Sequence, residues 1–242
     1  MTDKTLAQHF HDYFTIGIAG TAELKKAAFK LRYDVYCTEL GYEKDCSIDL
    51  ETDDFDEYSK HVLITHKASG IYAGCVRLVT PPLHNPKALL PFEVNCSQSF
   101  DPPKVAFLRE GNGVNVGEVS RLAVASRFRI RKSDAKSPEG IKEQQLQRIG
   151  DEMRYFPFIA IALFFAATSV AIYQNLKYAV VMMEPGLARL LNRSGINFIQ
   201  MGETIDYHGK RALFYTEGAF IDTLKPELKE FYQSVDHSLT QD

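Results

Sequence analysis

The chain has 242 residues, 45% of them apolar and 24% charged, with a formal net charge of −3. A chain of this length can bury roughly 70% of its unfolded surface, so it needs no disulfide or metal staple. The near balance of 28 basic and 31 acidic residues excludes the basic footprint of a nucleic-acid binder. The four cysteines, at 37, 46, 75 and 96, show neither a CxxC pair nor a His at metal-ligand spacing, which reads as a reduced, cytoplasmic protein.

In chain order, MTDKTLAQHFHDYF lacks the basic start and apolar core of a signal peptide. Residues 13–19 alternate as a strand. Thr21 is the expected N-cap of a helix over 22–40, with Ala28, Leu31, Val35 and Leu40 as its apolar stripe and Gly41 as its stop. An acidic, irregular stretch follows over 42–60. Residues 61–68 and 71–80 read as a hairpin turning across Ser69-Gly70. The proline-rich stretch 81–114 reads as a long loop with short elements, 115–125 as a strand, and 127–140 as a basic connection.

A helix is expected from near Ile141 to Leu176, broken at Pro157. Between Arg154 and Lys177 it carries no charge and is long enough to span a bilayer. Its small residues Ala160, Ala162, Ala166, Ala167 and Ala171 instead suit packing against a sheet. Residues 178–184 read as a central strand buried on both faces, and Pro185 opens a short helix capped by Gly195. A second hairpin turns across His208-Gly209, and a terminal amphipathic helix covers about 221–236. The order predicts one mixed α/β (α+β) domain over 1–242.

The acidic stretch holds Asp49, Glu51, Asp53, Asp54, Asp56 and Glu57. An EF-hand loop would need a glycine where Asp54 or Phe55 stands. A solvated loop and a carboxylate cluster holding a cationic substrate or buried arginines remain. Phe55 and Tyr58 should anchor the run to the core. Arg32, Arg77 and Arg121 interrupt apolar segments, and such arginines are buried only when paired. An ion-pair network follows, serving structure or a site.

Glu118 and Arg121, three apart in one strand, face opposite sides unless a bulge lies between them. Arg127, Arg129, Arg131 and Lys132 follow that strand, as an anion site or as a solvated basic loop. His61 and His66 bracket one strand and read as structural. His208 reads as a rim residue, and Tyr173 and Tyr207 are possible acids. No GxSxG, GxxxxGK[ST], HExxH or GxGxxG motif occurs.

Four segments in order, Arg32-Tyr-Asp-Val-Tyr36, Glu51-Thr-Asp53-Asp-Phe-Asp56, Val76-Arg77-Leu78 and Glu118-Val-Ser-Arg121-Leu-Ala-Val, resemble the autoinducer (acyl-homoserine-lactone) synthases. Those are acyltransferases of the GNAT fold, a mixed, mostly antiparallel sheet flanked by helices. Val35-Tyr-Cys-Thr-Glu-Leu-Gly-Tyr-Glu43, Phe55-Asp56, His61 and Asp206-Tyr-His-Gly-Lys-Arg211 resemble the acyltransferases associated with PEP-CTERM/exosortase systems, which are similar to N-acyl amino acid synthases. The resemblance runs from about residue 13 to 217. It implies transfer of a long acyl chain from acyl carrier protein (through its phosphopantetheine) or coenzyme A to the amine of a small acceptor. No metal, permanently bound cofactor, covalent enzyme intermediate or membrane contact is implied.

The same resemblance makes Glu118 and Arg121 catalytic and places Arg32, Tyr36, Glu51, Asp53, Asp56 and Arg77 at the acceptor. Val124, Arg127, Arg129 and Arg131 fall to the donor. The tryptophan that autoinducer synthases place after the first helix is absent, and Tyr42 stands near its position, which favours an amine other than S-adenosylmethionine. The alternatives are an acyl-homoserine-lactone synthase, a non-catalytic acyl-chain or carrier-protein binding module, and a membrane-attached protein.

Overall fold

A computed structural model describes residues 4–43, 49–110, 115–129 and 157–240. One eight-stranded sheet has the path β1 (Phe14–Ile18), β2 (Ser59–His66), β3 (Ile71–Val79), β4 (Val116–Val124), β5 (Tyr178–Met183), β8 (Lys210–Glu217), β6 (Ile199–Gln200), with β7 (Ile205–Asp206) also on β8. Every pairing is antiparallel except β4 with β5. The architecture is the expected mixed, GNAT-like sheet with helices on both faces.

One face carries α5 (Pro157–Tyr173) and, over it, α1 (Leu6–Tyr13) and α7 (Pro226–Thr240). Nearly every side chain of α5 from Phe158 to Ala171 is buried, because the sheet covers one flank and α7 the other. Gly74 permits the close approach: a Cβ there would stand 3.0 Å from both Ile159 Cγ2 and Leu163 Cδ1. Phe231 of α7 packs edge-on against Phe10, Phe158 and Phe165. Among the described residues no helix is long and apolar enough to cross a membrane. The segment 141–156 of the expected long helix lies outside the described residues.

The other face carries α2 (Ala22–Arg32), which continues as a π-helix over Tyr33–Glu39. Thr21 caps it, accepting from Leu24 N–H at 3.2 Å, and Gly41 leaves it at φ +62°. The wider π turn, seen in the 3.0 Å bond from Leu40 N–H to Val35 O, puts Val35 and Tyr36 on the same buried side as Ala28, Leu31 and Arg32. The 81–110 stretch contains α3 (Pro91–Asn95), α4 (Pro102–Val105) and two 3-10 turns. With Phe55 and Tyr58 of the acidic segment, it closes a second apolar cluster over β5 and β8. A further helix, α6 (Pro185–Arg193), ends before Gly195 at φ +95°.

Four details differ from the sequence reading. Helix α1 was not expected there, although Thr5 and Gln8 form a capping box at its start. The β2–β3 turn spans residues 67–70, four rather than two, because His66 pairs with Ile71. Helix α7 starts at Pro226 and runs to Thr240, while residues 218–223 form a 3-10 turn. Cys37 is disulfide-bonded, against the expectation of a wholly reduced set, and Cys75 and Cys96 are free and buried.

Candidate active site

Strands β4 and β5 pair only through Val116↔Tyr178, Gly117↔Ala179 and Glu118↔Val180. Beyond that, β5 stays with β8 while β4 stays with β3, and a wedge opens between them. The cause is a bulge in β4. Cys75 faces Ala123 and Arg77 faces Ser120, so Val76 alone stands opposite both Arg121 and Leu122. Arg121 takes φ +51°, a left-handed conformation that costs a non-glycine residue about 1–3 kcal/mol. The bulge meets the condition set by the three-residue spacing: Glu118 and Arg121 line one cleft.

Tight ion pairs fill the space beneath the bulge. Arg32 donates to Glu51 and, through two N–H groups, to Asp56 Oδ1 and Oδ2 at 2.7 and 3.1 Å. Arg77 donates to Asp56 Oδ1 at 2.8 Å, to Asp53 Oδ1 at 2.5 Å and to Ser120 Oγ at 3.1 Å. Arg121 donates to Glu51 Oε1 at 3.0 Å and Glu43 Oε1 at 3.1 Å, and lies 3.4 Å from Asp53 Oδ2. Three guanidiniums thus meet four carboxylates. Arg32 and Arg77 are 1% and 0% exposed, and buried charges survive only when paired in this way.

Burial works against the charged form of Asp56, yet Arg32 and Arg77 hold it well below the usual carboxylate range. Arg32 and Arg121 are likewise held above the ordinary arginine value by their carboxylates, against burial. His61, 3.6 Å from Asp56, is pushed down by burial to about 4. It is therefore neutral and structural at pH 7.

The cleft encloses about 740 Å³ including its open mouth. Its wall combines polar residues (Tyr36, Tyr42, Glu43, Arg121, Tyr207, His208 and Arg211) with apolar ones (Leu122, Phe164, Val181 and Met183). Tyr42 and His208 stack across it, ring centroids 4.8 Å apart and 20° from parallel. Tyr36 Oη donates to Leu122 O at 2.7 Å, and the Arg121 guanidinium lies over its ring.

Glu118 is 3% exposed and accepts from Phe92 N–H at 2.7 Å. Among the described residues no cation stands within ion-pair distance of it. Burial pushes its carboxyl up to about 8, which gives a base matched to neutral pH.

The expected site residues therefore divide. Glu118, Arg121 and Tyr36 line the cleft; Arg32, Glu51, Asp53, Asp56 and Arg77 do not, and form the network beneath it. Val124 is buried in β4 opposite Gly74. Arg127 is exposed, Arg129 is buried and pairs with Glu39, and Arg131 lies outside the described residues. Tyr207 lines the cleft, whereas Tyr173 lies apart from it and donates to Asp236. The sequence reading missed Phe92 N–H, Cys96, Val181 and Met183, whereas Phe164 belongs to the expected apolar helix 155–176 that the resemblance makes the wall of an acyl tunnel. Main-chain donors and apolar wall residues carry no chemical signature of their own.

A family model described as an acetyltransferase (GNAT) domain matches residues 31–136. No curated protein matches the chain. Among solved structures, the AHL synthase LasI aligns with a TM-score of 0.56 and 16% identity, over 85% of this chain and 89% of that one. FeeM, an N-acyl amino acid synthase from uncultured soil microbes, aligns at 0.58 and 16%, over 87% and 94%. MesI, a CoA-dependent acyl-homoserine lactone synthase, aligns at 0.55 and 18%, over 92% and 95%. The fold is GNAT-like, and together with the matched domain it supports an acyltransferase.

Proposed function

We propose that the protein is an N-acyltransferase, moving a long acyl chain from a pantetheine thioester to the amine of a small amino-acid-like acceptor. The observation that carries this reading is Glu118, a buried carboxyl with no counter-cation among the described residues, in the wedge between β4 and β5. The thioester carbonyl lies against the β4 edge at the bulge, where a main-chain N–H stabilises the developing oxyanion. Glu118 takes the proton from the acceptor amine, directly or through one water. The amine nitrogen forms a bond to the carbonyl carbon, the C–S bond breaks, and the departing thiolate takes up the proton that Glu118 removed, which restores the carboxylate. The apolar lining residues of the cleft, Phe164 among them, take the acyl chain.

The carrier-protein and coenzyme A donors share the pantetheine arm, and the CoA-dependent relative supports the latter as one option. Exposed Arg127 suits the phosphate of either. Resemblance to the acyltransferases of exosortase systems and the structural likeness to FeeM support an amino acid as acceptor. The acyl-homoserine-lactone synthase reading rests on the same fold, with S-adenosylmethionine as acceptor.

Mass spectrometry of lipid extracts from cells overproducing the chain tests the proposal. N-acyl amino compounds that disappear with Glu118→Gln are the expected result, and acyl-homoserine lactones in their place select the second reading. Equal product from Glu118→Gln removes Glu118 as the base. Donor binding without any product leaves a binding module.

A further inference from the structure

The network has a closed path that begins and ends on neighbouring residues of β4. Ser120 Oγ accepts from Arg77, Arg77 donates to Asp56, and Asp56 accepts from Arg32. Arg32 donates to Glu51, and Glu51 accepts from Arg121. The next residue, Leu122, has its carbonyl held by Tyr36. Three consecutive bulge residues are thus gripped by side chains from α2, its π continuation, the acidic segment and β3. Ring members Arg32, Glu51, Asp56 and Arg77 do not line the cleft; they bond one another, and Arg77 leaves one buried nitrogen, Nη2, without a partner. The middle residue, Arg121, holds φ +51° without being glycine, a conformation that persists only where the surroundings enforce it.

We propose that this ring is a clamp for the β4 bulge. Arg32, Glu51, Asp56 and Arg77 are positioning residues: they set the main-chain groups of residues 120–122 at the thioester site and touch neither donor nor acceptor. The clamp geometry stands independently of the acyl-transfer reading, and only the kinetic arm of the test rests on that reading.

Amide hydrogen–deuterium exchange on the full chain tests the clamp without any substrate. In Glu51→Gln, and in the gentler Ser120→Ala should the first not fold, amides of residues 119–124 exchange about tenfold or more faster, while those of β1 and β2 stay within about twofold. Unchanged exchange at 119–124 overturns the clamp, as does an equal rise across the whole sheet.

The kinetic arm compares Arg121→Gly with Arg121→Ala, using the donor and acceptor that the wild type turns over. Glycine adopts positive φ without penalty, so it keeps the bulge better and retains more kcat than alanine. Equal losses in the two variants assign Arg121 to substrate contact and contradict the clamp. A wild type with no acyltransferase activity refutes the function alone, and the exchange result still decides the clamp.

Discussion

The two edges of β4 present opposite electrostatics. On the β3 side, three arginines meet four carboxylates in a lattice whose members Arg32, Arg77, Glu51 and Asp56 are buried. On the β5 side, one carboxyl, Glu118, is buried and accepts from Phe92 N–H, with no cation paired to it among the described residues. Burial acts on both regions, and the outcome depends on the neighbours. Asp56 is held ionised far below its usual range, and Glu118 is pushed up to about 8. A fixed lattice cannot accept a proton near neutral pH, whereas an isolated carboxyl can. The strand thus separates a paired, charged support from the carboxyl proposed as the base.

The largest expected effect comes from breaking the lattice. Asp56→Ala leaves Arg32 and Arg77 short of their shared carboxylate, and removing one partner of a buried pair costs about 3–5 kcal/mol. Chemical denaturation measures it, and a loss under about 1 kcal/mol would show the lattice to be solvated.

Glu118→Gln sharpens the other side. The rate is expected to fall by about 10²–10⁴, the usual worth of a positioned base. Stability should move the other way at high pH. The folded carboxyl, raised by burial, titrates near 8 and the unfolded one near the ordinary 4.5, so the wild type loses stability as pH rises between these values. The loss is on the order of a few kcal/mol. Glu118→Gln lacks that loss and is expected to melt higher than wild type at pH 9 but not at pH 5. Parallel pH curves for the two proteins would place Glu118 in water.

Tyr36→Phe removes the hydroxyl from Leu122 O and is expected to cost about 1–3 kcal/mol, the penalty for a buried acceptor left unsatisfied. At the small end stands an exposed pair, Lys30 with Asp34 at 2.6 Å. Lys30→Ala should change stability by no more than about 0.5 kcal/mol. An effect near that of Asp56→Ala would erase the distinction between buried and exposed charge.

Much of this contrast is legible in the sequence. Arg32, Arg77 and Arg121 inside apolar runs must be paired, and the acidic segment supplies the partners. The spacing of Glu118 and Arg121 demands a bulge if both face one cleft, and the bulge is there. What the sequence conceals is the division of labour. Spacing cannot tell that Glu51 and Asp56 lie under the sheet while Glu118 stands in the wedge, because that depends on where β5 parts from β4. The partner of Glu118 is a main-chain N–H of Phe92, which no side-chain pattern encodes. The Thr5–Gln8 capping box was visible but lies in a short segment with little apolar period. The four-residue β2–β3 turn follows from a pairing register that Ser69-Gly70 alone does not determine.

Titration of Glu118 itself tests the central claim most directly. Carboxyl-carbon NMR of the protein labelled at glutamate, wild type against Glu118→Gln, isolates its signal. The account predicts one carboxyl that titrates near pH 8 in the wild type and is missing from the variant. A Glu118 signal that titrates near 4.5 would contradict it, because a carboxyl ionised at that pH is not the desolvated base on which the proposed acyl transfer depends.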